Sequence, residues 1–166
     1  MATQFGGNDS GFKFRSCYTG SEFSHARGVN NNPKANLMAS FTFEGMSTVL
    51  TGYSGQQGVV FGNGTEASVD DYVLSGDVIS GIVATASVTM ENDGETAIRR
   101  AVYTITNSNA DAITVSEIGC IGYVPYSAAE TTLGLIEHTV LDSPVTIPAG
   151  SVGQVTYTIR MNYPTA

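Results

Sequence analysis

The fold class of this chain is set by a period of two that recurs along its length and never gives way to a helical period. In "QVTYTIRMNY" (Gln154–Tyr163), Val155, Tyr157, Ile159, Met161 and Tyr163 alternate with Thr156, Thr158, Arg160 and Asn162. That is the pattern of a strand with one face on a core. "IRRAVYTITN" sets Ala101, Tyr103 and Ile105 against Arg100, Val102, Thr104 and Thr106, and "SGIVATASVTM" offers Ile82, Ala84, Ala86, Val88 and Met90 on one side. "ASFTFEGMSTVLT" (from Ala39) alternates through Phe41 and Phe43 and also reads as a strand. "SAAETTLGLIEHTVL" comes nearest to a helix, but its β-branched residues and Gly134 favour a loop followed by a strand.

Polar turn signals separate these runs: Glu91-Asn92-Asp93-Gly94, Asn107-Ser108-Asn109-Ala110-Asp111 and Pro148-Ala149-Gly150. The first two read as hairpin links. Seven to nine short strands so spaced predict an all-β protein, a β-sandwich or barrel, and of these we expect an antiparallel β-sandwich of jelly-roll or Ig-like type. Charged residues at 13% and 19 glycines fit a β-rich, turn-rich domain.

Residues 1–36 differ. They are rich in Gly and Asn, have no sustained period, and yet carry Phe5, Phe12, Phe14, Tyr18 and Phe23. We read them as an extended N-terminal arm on a sandwich domain spanning 37–166. The aromatics pack either back on the domain or on a neighbouring subunit. In the second case Phe12, Phe14, Tyr18 and Phe23 are anchors, with Lys13 and Arg15 meeting an acidic surface.

Charge follows the same division. Up to Ala35 there are four basic and two acidic residues; beyond it there are three basic and thirteen acidic ones, and the whole chain carries −8. An acidic body argues against nucleic-acid binding, which needs Lys and Arg on phosphate. No run reaches the roughly 20 apolar residues of a membrane helix. The start "MATQFGGNDS" lacks the charged-then-apolar order of a secretory signal. Cys17 and Cys120 form no CxxC pair and read as free thiols in a reducing compartment. In that compartment the Asn63-Gly64-Thr65 sequon is a turn.

Candidate chemistry is sparse. Only His25 and His138 are available as bases, and no GxSxG elbow occurs. His138 reads as a half-exposed strand residue beside Glu137, and Cys120 as a small buried hydrophobe. Asn63, Glu66, Asp70 and Asp71 could offer oxygens to Ca²⁺, but their spacing is not that of an EF-hand, and a solvated acidic loop accounts for them. No metal, cofactor or catalytic residue is expected. Glu117 stands out for another reason. In "ITVSEIGCIGYVP" the apolar phase shifts by one residue at Glu117, beside Gly119, the trace of a β-bulge. Glu117 then accepts backbone N–H groups freed at the kink, with no second titratable group beside it.

The ordered segments "VVFGNGTEASVDDYVLSGDV", "YTITNSNADAITVSEIGCIGY" and "LIEHTVLDSPVTIPAGSVGQVTYTIRM" resemble a β-domain of tailed-bacteriophage virion structural proteins. The likeness is carried by Gly62, Gly64, Thr65, Asp71, Tyr72, Leu74, Thr106, Asn107, Ser116 to Gly119, Pro144, Ile147, Pro148, Gly150, Thr156, Tyr157 and Ile159. It covers residues 59–161 and none of the arm. It implies a non-enzymatic head, tail or fibre subunit, assembled in the host cytoplasm into the virion. Its partners would be other virion proteins, and it would self-associate, as a trimer by the habit of such domains. It also implies that Asp70, Asp71 and Tyr72 fix the chain between the two halves of the sandwich. Members often carry a basic residue where His138 stands. A receptor- or carbohydrate-binding module at a tail tip is the alternative, kept open by Tyr53, Tyr123 and Tyr126.

Overall fold

The computed structural model describes residues 12–17, 22–25, 43–68, 71–92, 96–125 and 131–162. Among them the chain is almost entirely strand. The order is β1 (Phe12–Arg15), β2 (Glu22–His25), α1 (Phe43–Ser47), β3 (Val49–Leu50), β4 (Gly58–Gly62), β5 (Ile82–Asn92), β6 (Thr96–Asn107), β7 (Ile113–Pro125), β8 (Thr131–Ile147) and β9 (Val152–Asn162).

Two sheets form the body, ordered β3-β4-β7-β8 and β5-β6-β9. All pairings in them are antiparallel except the short β3–β4 contact. Hairpins β5–β6 and β7–β8 each stay within one sheet, and the links β4–β5, β6–β7 and β8–β9 cross between sheets. The chain therefore wraps one core from both sides, as in a β-sandwich. Phe61 and Ile118 from one sheet meet Tyr103, Ile105 and Val155 from the other in that core. Phe61 and Tyr103 stack edge to face, centroids 5.2 Å apart at 79°, a favoured aromatic geometry.

The period-two runs of β6 and β9 place the expected faces, with Ala101, Tyr103, Ile105, Val155 and Tyr157 all buried; on β5 Ile82 is buried, but Met90 of the same expected face is exposed. Two expectations change. The run from Ala39 does not continue as a strand; Phe43–Ser47 is a single helical turn. Two alternating aromatics cannot distinguish a short strand from one turn of helix, and tertiary packing decides. Met46 is wholly buried between the sheets, and its carbonyl accepts a hydrogen bond from the Tyr103 hydroxyl at 2.7 Å.

The turn after Asn107 is not a hairpin link either, since β6 and β7 belong to different sheets. The buried Asn107 side chain closes it, donating to the carbonyls of Asp111 at 2.8 Å and Ile147 at 3.0 Å while its oxygen accepts from the Asn109 backbone at 2.9 Å. In the arm, the described residues form two paired strands. Phe12–Arg15 pair antiparallel with Glu22–His25, setting Phe14 opposite Phe23 and Arg15 opposite Glu22. Ser16 and Cys17 at the end of β1 are buried, and the Ser16 hydroxyl donates to the Leu133 carbonyl of β8 at 2.8 Å. Tyr18 lies outside the described residues.

Replacing Tyr103 by Phe keeps the ring and removes only the bond to Met46. We expect a loss of about 1–2 kcal/mol in urea unfolding, the usual cost of leaving a buried polar group unpaired.

Candidate functional site

The outer face of the β3-β4-β7-β8 sheet carries a second, smaller core. Val60, Ile121 and Leu133 point outward from the sheet and are covered by Leu74 of the β4–β5 link, with Leu50 and Cys17 alongside. β4 is thus buried on both faces, Val59 and Phe61 inward and Val60 outward. The link from Asn63 to Val78 is therefore a covering layer. It lies so close that a side chain at Gly119 would come within 2.8 Å of Leu74 Cδ2 and 2.7 Å of Leu135 Cδ1.

Glu117 holds this layer down. The pairing of β7 with β8 shifts register between Val115 and Glu117, the bulge expected from the phase change, and shifts again between Cys120 and Ile121. The first shift turns Glu117 outward beneath the link, where it is 0% exposed. Its Oε1 accepts the backbone N–H groups of Gly64 at 2.8 Å and Gly76 at 2.9 Å. Its Oε2 accepts from the Ser75 backbone at 3.0 Å, the Ser75 hydroxyl at 2.9 Å and the His138 ring at 2.7 Å. The donors thus come from the covering link and from β8, not from the bulge itself. Ser116 adds a bond from its hydroxyl to the Gly64 carbonyl at 2.8 Å. Burial by itself pushes the Glu117 carboxyl up. The N–H groups of Gly76 and Gly64, with His138 and Ser75, outweigh burial and hold it below the ordinary carboxylate value.

His138 corrects the sequence reading twice. Its side chain is only 4% exposed, and it does give Glu117 a titratable neighbour. Its Nδ1 lies 2.8 Å from Asp71 Oδ2 and its Nε2 2.7 Å from Glu117 Oε2. Each ring nitrogen thus has a carboxylate oxygen within hydrogen-bond distance, so the ring bridges the two side chains. Asp71 Oδ2 also accepts the Ser68 N–H at 2.6 Å, closing a turn in the link. Asp71 thus ties the Ser68 turn of the link to His138 of β8. Tyr72, next to it, is half-buried, and Asp70 lies outside the described residues.

The cross-strand register explains the convergence. Glu117 pairs with Gly62 on β4 and Val140 on β8, while His138 pairs with Gly119. Residues 117 and 138 thus share the outer face two positions apart, and the link returns Asp71 to them. Nothing local to Glu117 in the sequence announces His138 or Asp71; the one trace is the odd placement of a carboxylate in an apolar strand.

Little chemistry is open to this cluster. Five donors occupy a carboxylate with about four lone-pair directions, and both His138 nitrogens are engaged. Asn63 Oδ1, a proposed calcium ligand, accepts the Asp77 N–H at 2.8 Å, and Glu66 is exposed. Among the described residues no group of three or more His, Cys, Asp or Glu is placed to hold a metal. Cys120 is buried and its thiol pushed up by burial. Of the tyrosines considered for sugar contact, Tyr53 is turned into the second core, its oxygen accepting the Leu74 N–H at 2.6 Å. Tyr123 is 36% exposed on β7, and Tyr126 lies outside the described residues. Of the arm residues, Phe12, Lys13, Phe14, Arg15 and Phe23 sit on the paired strands β1 and β2.

Comparison with models of known protein families, with curated proteins and with solved structures finds no match to this chain.

Replacing Glu117 by Gln presents an amide N–H where donors already point. We expect a loss of about 3–5 kcal/mol in urea unfolding, the scale of breaking a buried charged pair from one side. The pH dependence has a definite sign. A carboxyl held low in the folded state stabilises above its unfolded value, and that stability disappears as pH falls through the folded value. Unfolding midpoints measured from neutral pH down to about pH 3 should fall below the ordinary carboxylate range in the wild type. Glu117→Gln should flatten that fall.

Proposed function

We propose that this chain is a non-enzymatic structural subunit of a bacteriophage virion, a decoration or adaptor protein on the capsid or tail. The observation that carries the non-enzymatic part is the state of Glu117. The cluster of Glu117, His138 and Asp71 is spent on holding a covering layer in place: both Glu117 oxygens and both His138 nitrogens are engaged within it. A sandwich with an extra sealed layer suits a protein whose task is to keep its shape in an assembly.

The phage part rests on the resemblance of residues 59–161. The positions that carry it include Gly62, Gly64, Asp71, Glu117 and Gly119, and these are the residues that shape and hold the covering link. A motif that spells out a scaffold is what a reused structural domain would keep. His138 fills the place where a basic residue is common, bonding both carboxylates there. In its finer form the reading is a jelly-roll or Ig-like sandwich, with residues 1–36 as the docking element. In this reading the β1–β2 hairpin presents Phe12, Lys13, Phe14, Arg15 and Phe23 to a neighbouring virion protein, and Tyr18 belongs to the same set. The receptor- or carbohydrate-binding alternative loses Tyr53, whose ring and oxygen are used internally.

The test is the composition of particles. Virions produced from the genome that encodes this chain, purified by density and analysed by quantitative mass spectrometry, should contain it in a fixed copy number per major capsid protein. Replacing Phe14 by Asp should strip the protein from the particles while leaving its own unfolding midpoint unchanged. Particles lacking the chain would sink the proposal.

A further inference from the structure

Strand β5 is an edge of its sheet, with β6 as its one hydrogen-bonded strand partner among the described residues, while α1 and β3 pack near it. Long bare edges invite pairing with another chain, and proteins blunt them with charges, prolines, bulges or short length. The other long edges here are blunted: β8 carries Glu137, Asp142, Pro144 and two register shifts, and β9 carries Gly153 and Arg160. β5 is not. It pairs with β6 over 11 consecutive residues without a bulge, and from Ile82 to Met90 it contains no charge, Pro or Gly. It also carries two of the exposed large hydrophobic residues, Val83 at 64% and Met90 at 61%.

We propose that β5 pairs antiparallel with β5 of a second copy of this chain, joining two three-stranded sheets into one of six. The strand's own sequence selects this occupant. A two-fold axis perpendicular to a sheet keeps each face on its own side, so only residues of the same face can meet. Centring the axis on Ser87, the middle residue of Ile82–Asn92, lets the whole strand pair. On the inner face Ala86 then meets Val88, Ala84 meets Met90 and Ile82 meets Asn92, so the valine and the methionine each lie against an alanine. On the outer face Thr85 meets Thr89, and Val83 meets Glu91. Glu91 is the only charge in the strand, so no like charges are opposed. Met90, 61% exposed in the single chain, is covered by the second copy's Ala84. Such an interface is isologous and closes at two copies, unlike the trimer implied by the resemblance. It does not depend on the virion reading, because it uses only the edge and its sequence.

Ser87 gives a register-specific test, since in this dimer alone it faces itself. Directly opposed residues in an antiparallel pair have Cα atoms about 4.5–5.5 Å apart, within disulfide range of about 4.4–6.8 Å. Ser87→Cys should therefore form a disulfide-linked dimer under mild oxidation. Thr85→Cys and Thr89→Cys should not crosslink alone, but should crosslink when mixed with each other. The native thiols do not compete: both are buried, and burial pushes Cys17 up to about 11 and Cys120 further. Light scattering on the full chain should give the dimer mass, and Ser87→Lys, at an exposed position, should halve it by opposing two ammonium groups. The proposal is overturned if Ser87→Cys crosslinks no faster than Thr158→Cys on the same sheet, or if Ser87→Lys leaves the wild-type mass unchanged. A wild type that is already monomeric overturns it as well.

Discussion

A carboxylate taken out of water must find its hydrogen-bond donors inside the protein, and Glu117 finds four of its five in a loop that would otherwise have no reason to lie down. A buried charge without partners is costly, so the carboxylate and the link from Asn63 to Asp77 hold one another in place. The second core follows from this. Leu74 covers Val60 and Ile121 only while the backbone on either side of it is pinned, at Gly64 on one side and at Ser75 and Gly76 on the other. β4 can be apolar on both faces because that cover exists. His138 extends the arrangement by one step, tying the same carboxylate to Asp71 and so to the start of the link's return.

This layering accounts for what the sequence showed and what it concealed. The inner faces of β6 and β9 were legible because a strand against one core alternates, and Tyr103, Ile105, Val155 and Tyr157 fall where alternation puts them. The bulge at Glu117 was legible as a phase change. The second core was not, because its cover is irregular chain: Leu74 and Val60 belong to no shared period and meet only in three dimensions. The same holds for His138. Its burial comes from the link above it, and a strand read in isolation assigns that face to solvent.

The two polar staples, Glu117 and Asn107, work alike. Each is a buried side chain that takes the place of a backbone ladder where the chain leaves one sheet for another. Asn107 closes the β6–β7 crossing and bonds the end of β8. Glu117 secures the β4–β5 crossing. Sandwich crossovers leave backbone groups without strand partners, and these groups must still be satisfied when buried. The fold answers with one long-armed acceptor and one amide. The sequence marks both as polar residues in or beside apolar strands.

The bond from Gly64 to Glu117 has a chemical consequence beyond packing. An asparagine followed by glycine ages by attack of the glycine's backbone nitrogen on the asparagine carboxamide, which closes a five-membered ring and releases ammonia. In Asn63-Gly64 that nitrogen is directed at Glu117, 2.8 Å away, and the Asn63 carboxamide oxygen is occupied by the Asp77 N–H. Both reacting groups are engaged in other hydrogen bonds while the layer is closed. The chemical lifetime of the most vulnerable peptide unit in the chain is thereby tied to the closure of a single loop.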